Sequence, residues 1–188
     1  VPRPGSNPLR WGRAYVLPDD LFEQLHQIDV AMGTRERMDD GCRVETYPQQ
    51  GKDAFRFGSL FEGCLQIERG DHAYVRTYVN AKDAEEILKS IRDAKKRSDL
   101  TVFSLHTHEG LNENWYAVRP PEFIEKMAHD AIDAGADVVA CHGAHFLRGV
   151  EIYNGCPIFY NLGSLLMEFE AGESIIAPEM YEAYGYGV

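Results

Sequence analysis

Apolar positions alternate with polar ones over short runs and recur every three to four residues over longer ones, and these two rhythms divide the chain into elements. Residues 13–17 read as a short strand. A helix follows over about residues 20–32, with Asp19 or Asp20 as its cap and Leu21, Leu25 and Ile28 on one apolar face. Between Gly33 and Gly51 the periodicity dissolves into charges, glycines and Pro48, which predicts a surface loop. Residues 55–61 alternate weakly. The runs 64–68 and 73–79 flank Arg69-Gly70-Asp71, and this predicts an antiparallel hairpin. Asn80 with Asp83 forms a capping arrangement for a helix with Ala84, Ile87, Leu88, Ile91 and Ala94 on one face. That helix ends in the cluster Lys95-Lys96-Arg97, whose charge suits the negative end of the helix dipole.

From Leu100 onward the order becomes strand 100–105, helix 120–134, strand 137–140, strand 150–153 and strand 157–160. Pro120 and Pro121 fit a first helical turn. Phe123, Ile124, Met127, Ala131 and Ile132 form a buried stripe, and Gly135 stops the helix. Asn154-Gly155 between two β-rich runs predicts a tight antiparallel hairpin, so the sheet is mixed. The proline-rich start, within residues 1–12, reads as a linker or covering arm.

Length and charge narrow the function. The 188 residues suit one α/β domain, and no apolar run reaches the roughly 20 residues of a membrane span. With 19 basic and 30 acidic side chains the net charge of −11 repels nucleic acid and anionic membranes. A small anionic substrate remains open, because a local metal charge outweighs a distant net charge, and a small molecule, a peptide or a polymer is the expected substrate class. Cys42, Cys64, Cys141 and Cys156 lack metal or disulfide-scaffold spacing and read as free thiols, with Cys141 read as inert packing. Neither an initiator methionine nor a leader is visible, so a processed or partial product is expected.

The candidate chemistry lies in two segments, Ser104 to Gly110 and Val138 to His145, each placing two histidines at the end of an apolar run. His106 and His108 share a face at period two, and Glu109 beside them can ligate, orient a ring or act as a base. His142 and His145 flank Gly143 and Ala144, small residues that permit a tight turn. Asn161 and Ser164, at the exit of a later strand, are candidates for holding substrate. His26, His72 and His129 are expected to be solvated, and Asp133 and Asp137 to cap the glycine turn.

The ordered set formed by residues 101–109, 132–139, 140–145 and 149–164 resembles the CapA family of poly-γ-glutamate capsule biosynthesis proteins, within the calcineurin-like metallophosphoesterase superfamily. Residues 4–61 resemble it more loosely. The resemblance implies an α/β fold, a four-layer α-β-β-α sandwich with mixed sheets, and a site for up to two divalent ions (Mn, Fe or Zn) where strand ends meet. It assigns His106 and His145 as metal ligands, and His142 as a replacement ligand, since Gly143 and Ala144 stand where the family has histidine and proline. It leaves His108 and Glu109 for proton transfer, and Asn161 and Ser164 hold an altered form of the family's Ser-Leu-Gly-Asn signature. The superfamily's first strand with its metal-binding aspartate has no counterpart here. The expectation is therefore residues 1–188 as the carboxy-terminal portion of a single CapA-like domain, incomplete at its amino-terminal side, with residues 100–169 as the motif-bearing core.

Three readings follow: a metal-dependent hydrolase linked to polyglutamate or another envelope polymer, a peptide epimerase working by acid and base in ribosomal peptide maturation, and a non-catalytic assembly module that has lost its metals. The expected compartment is the cytoplasm or, through an anchor outside this chain, the cell envelope.

Overall fold

The computed structural model describes residues 7–44, 47, 51–59 and 63–165. Among them, eight strands form two mixed four-stranded sheets accompanied by four helices, an α/β architecture. In the first sheet β1 (Trp11–Leu17) is central, with β3 (Gly63–Arg69) parallel on one side and β4 (Tyr74–Val79) antiparallel on the other. The strand β2 (Ala54–Ser59) pairs antiparallel with β3 at the edge.

The expected hairpin between the third and fourth strands is therefore corrected: β1 lies between them. Ala14 and Val16 of β1 are 0% and 4% exposed, and a strand carrying them is buried best at the centre, with a ladder on each side. The turn after β3 instead ties back to β1, Gly70 N donating to Leu17 O at 2.9 Å.

The first helix α1 (Asp19–Ala31) starts after Pro18, so Asp19 and Asp20 sit in its first turn, where they favour the dipole, and neither is the cap. Its packed stripe is Phe22, Leu25 and Asp29, whereas Leu21 and Ile28 face solvent. The helix is rotated so that Phe22 meets Phe55 edge-on at 5.1 Å over the first sheet. A second correction is α2 (Thr34–Arg43), where a loop was expected. Gly33 at φ 73 breaks the first helix, and Met38 and Cys42, four residues apart, bury one face of a new one with Tyr47.

Asn80 accepts from the backbone N–H groups of Lys82 and Asp83 and caps α3 (Ala81–Lys95), as its position predicts. Asp83 turns outward to Arg10, which it meets at 2.7 Å, so the arm read over residues 1–12 is anchored here and gives way to β1 at Trp11. Residues 1–6 of that arm, residues 45, 46 and 48–50 of the 33–51 reading, residues 60–61 of the 55–61 reading, and residues 166–169 of the motif-bearing core lie outside the described residues.

The second sheet follows the order β5 (Val102–Thr107), β6 (Val138–Gly143), β8 (Cys156–Phe159), β7 (Val150–Tyr153). β5, β6 and β8 are parallel, and β7 pairs antiparallel with β8 through the Asn154-Gly155 turn. The helix α4 (Glu122–Asp133) buries the expected stripe from Phe123 to Ile132, and with α3 it covers one face of this sheet at Val139, Cys141 and Ile158. α4 also links the two sheets: Trp11 stacks on Phe123 with centroids 5.0 Å apart, and Phe123 N donates to Thr77 Oγ1 of β4. Asp133 and Asp137 do not cap the turn. Asp133 accepts from Tyr153 and Asn154, and Asp137 holds Lys95 at 2.7 Å and Thr101 N at 2.8 Å.

Candidate functional site

Because β5 and β6 are adjacent and parallel, both histidine segments leave the second sheet at the same end. His106 and His142 are register partners across that pair, with ring centroids 5.0 Å apart and planes at 87°. The next turn returns His108 over His106, so that their Nε2 atoms lie 3.1 Å apart. A hydrogen bond at that distance requires one ring to be protonated at Nε2 and the other bare.

Gly143 makes this arrangement possible. A Cβ there would lie 2.6 Å from His108 Cδ2, 2.9 Å from Thr107 O and 3.0 Å from His106 Nε2, and the residue sits at φ 125. The position where the family resemblance expects histidine is thus the floor on which two other imidazoles rest. His142 is turned to Ser104, Nε2 to Oγ 3.0 Å. His145, in the left-handed region at φ 63, directs Nδ1 to Ser164 Oγ at 3.2 Å, and its ring centroid stands 6.1 Å from that of His108.

Glu109 is committed locally: its Oε2 accepts from the Thr107 hydroxyl and from His108 N. Burial, reinforced by the neighbouring His106, holds the His108 imidazole below its ordinary value of 6.5, opposed by Glu109. His108 is therefore neutral near physiological pH and suited to accept a proton. Asn161, 2% exposed, spends its amide on Phe146 O, so it braces the His145 turn. Cys141 is fully buried and its thiol is pushed up to about 12, which makes it packing as expected. All four cysteines are free thiols.

The donors present, imidazoles beside a carboxylate, have the chemistry of a transition-metal site. Among the described residues, however, no three His, Cys, Asp or Glu side chains converge closely enough to hold one ion. A cavity of about 1030 Å³ opens beside His106, His142 and Ser104 and runs along β5 toward α3.

Several residues of the site are not evident from sequence. Arg148, 5% exposed, donates to the carbonyls of His108, Glu109 and Trp115 and pins the loop after β5. Trp115 meets the His108 ring at 4.7 Å. The one local signal was a tryptophan in a polar loop directly after the histidines. His129, expected to be solvated, instead bonds Glu151 at 3.0 Å and stacks on Tyr153 at 4.0 Å, away from the histidine cluster. His26 and His72 pack on Phe55 and Tyr74. No helix among the described residues is long and apolar enough to cross a membrane.

The family model for the bacterial capsule synthesis protein PGA_cap matches residues 43–168. An uncharacterized protein of Sinorhizobium fredii, y4sH, is 34% identical over 184 residues, covering 97% of this chain and 35% of that protein. The PGA biosynthesis protein CapA of Bacillus subtilis is 33% identical over 86 residues, 46% of this chain and 21% of its own length. A probable polyglutamine synthesis accessory protein of Mycobacterium tuberculosis is 34% identical over 88 residues, 46% of this chain and 22% of its own. The chain thus spans 35% or less of the length of these relatives.

Proposed function

The chain belongs to the bacterial capsule synthesis protein family, and from that premise we propose that it serves in the synthesis of polyglutamate or a related envelope polymer as part of a metal-dependent hydrolase. The observation that carries this reading is the convergence of His106, His108 and His142 at the ends of two adjacent parallel strands. His106, His142 and His145 are the metal's ligands, the His142 ring lying 5.0 Å from that of His106 and the His145 ring 6.1 Å from that of His108. A divalent ion there would supply a water of lowered pKa and charge for the reacting group. His108, neutral and braced by Glu109 and Arg148, takes a proton from the attacking water and returns it to the leaving group, and Ser164 orients His145 through Nδ1.

We infer for the intact domain the four-layer sandwich that the resemblance implies. In its support, α3 and α4 cover one face of the second sheet, while Val102, Val150 and Ile152 stand 52%, 62% and 67% exposed. The competing reading, an assembly module without metal, draws support from the lack, among the described residues, of any three His, Cys, Asp or Glu side chains placed to hold one ion.

One measurement separates the two. Metal analysis of the whole protein is expected to find at least one transition ion per chain, and His106→Ala is expected to lower metal content and hydrolytic activity together. Metal content unchanged in that variant contradicts the ligand role of His106. A whole protein that takes up no metal leaves the assembly module.

A further inference from the structure

A second, smaller cavity of about 380 Å³ lies between the first sheet and the loop that follows β5, bordered by His108 and Glu109. That volume is within the range of small-molecule pockets, about 300–1,000 Å³. Its walls are aromatic. Trp11, stacked on Phe123, forms one side and Trp115 another, and the two indoles are 36% and 41% exposed.

The loop is built to stand there. Leu111 N donates to Arg119 O at 3.1 Å and closes its base, while Arg148 holds its two ends. Asn112 at φ 53 and Glu113 at φ 61 are consecutive left-handed non-glycine residues, a backbone that costs about 1 kcal/mol or more at each and persists where the surroundings enforce it. What enforces it is Glu113, whose carboxylate crosses to Arg13 and to the Tyr15 hydroxyl on β1. The strained turn thus reaches across to the first sheet and forms one wall of the open cavity.

The charges around this space are already paired. Glu113 is matched by Arg13, and the Glu109 carboxylate, bonded through Oε2 to its own turn, lies in the electrostatic field of the buried Arg148 guanidinium. A charged ligand would meet no free opposite charge, whereas the outer edges of the Arg13–Glu113 pair can still exchange hydrogen bonds with hydroxyls. Exposed indoles beside paired polar groups suit a flat ring with one apolar face and a polar rim.

We propose that this cavity is a binding subsite for a neutral pyranose, a sugar ring that lies against the indoles of Trp11 and Trp115 and extends its substituent toward His108. The proposal rests on the hydrolase reading only in making the bond at His108 the reacting one. The binding itself needs no metal.

The test is titration of the whole protein, free of added metal, with N-acetylglucosamine, followed at the indole N–H resonances of Trp11 and Trp115. Glucosamine, glucuronate and N-acetylphenylalanine amide serve as the cationic, anionic and neutral aromatic comparisons. A ligand this small is expected to bind at about millimolar Kd. Both indoles should shift with saturation, and the two charged sugars should bind at least about tenfold more weakly, the size of one lost favourable contact. Trp115→Ala should weaken the neutral sugar by about the same factor, with Trp115→Phe between it and the wild type. Absence of saturable shifts in the wild-type protein, equal binding of the charged sugars, tighter binding of the aromatic amide, or an unchanged affinity in Trp115→Ala overturns the proposal. Sugar binding by a protein that takes up no metal upholds the subsite and removes the hydrolase. Metal uptake without sugar binding does the reverse.

Discussion

Arg148 donates from Nη2 to the backbone carbonyl of His108 at 3.1 Å, so a buried guanidinium is spent on holding the chain segment that carries the central imidazole. The same nitrogen reaches Trp115 O at 3.0 Å and Nη1 reaches Glu109 O, which binds both ends of the loop to one fork. Arg148→Met leaves buried carbonyls without donors and should cost about 3 kcal/mol. Arg148→Lys should recover only part of this, because an ammonium cannot serve three carbonyls in a planar fork. Urea denaturation reads both, and a loss below about 1 kcal/mol for the methionine variant contradicts the clamp.

Gly143→Ala tests whether the histidine pair depends on the strand beneath it. The added methyl would meet Thr107 O at 2.9 Å, a backbone atom that cannot step aside, and φ 125 strains any residue with a Cβ. A destabilisation of about 2 kcal/mol or more is expected, with displaced ring resonances for His106 and His108 in proton NMR. Unshifted rings in a fully stable variant would show that the close approach is not structural.

How much of this was legible in the sequence depended on the range of the interactions. α4, β6 and the β7–β8 hairpin follow from local signals: a continuous buried stripe, an apolar run and Asn154-Gly155. The order of the first sheet does not, because β1 is placed between β3 and β4 by the burial of Ala14 and Val16 against partners distant in sequence. α2 was hidden because its packing stripe consists of only Met38 and Cys42 among charges. In the site, the period-two pair His106 and His108 was readable at once. Arg148 was not, since its partners lie 33 to 40 residues away. Nor was the meeting of Trp11 and Trp115 at one cavity, since they lie 104 residues apart.

His108 should titrate below 6.5, chiefly because it is partly buried and secondarily because of His106. An unfolded histidine takes its proton near 6.5, so below that pH the unfolded chain binds more protons than the folded one. The associated stability is present above 6.5 and is lost as pH falls through the lower folded value. Trp115→Ala uncovers the ring and should return its titration toward 6.5. Imidazole proton resonances followed against pH check this, and a His108 titration at or above 6.5 in the wild-type protein contradicts it.

Tyr160 and Glu151 form a second polar unit whose behaviour in acid is predictable. The Tyr160 hydroxyl, on a residue 5% exposed, donates to Glu151 Oε2 at 2.6 Å, and His129 bonds the same carboxylate. Chiefly because of Tyr160, and against the effect of burial, the Glu151 carboxyl lies below its ordinary 4.5. Tyr160→Phe should raise it again and cost about 1 kcal/mol near neutral pH, at the low end for a bond to a charge because Glu151 is 35% exposed. Because the folded value is depressed, the carboxylate's contribution is present above 4.5 and is lost as pH falls through the lower folded value. The stability gap between wild type and Tyr160→Phe should therefore narrow in acid, once Glu151 is protonated in both. Paired thermal melts near neutral pH and well below the folded value measure this gap. A gap that stays constant between those conditions would place the stabilisation in the packing of the ring, with no share from the hydrogen bond to the charge.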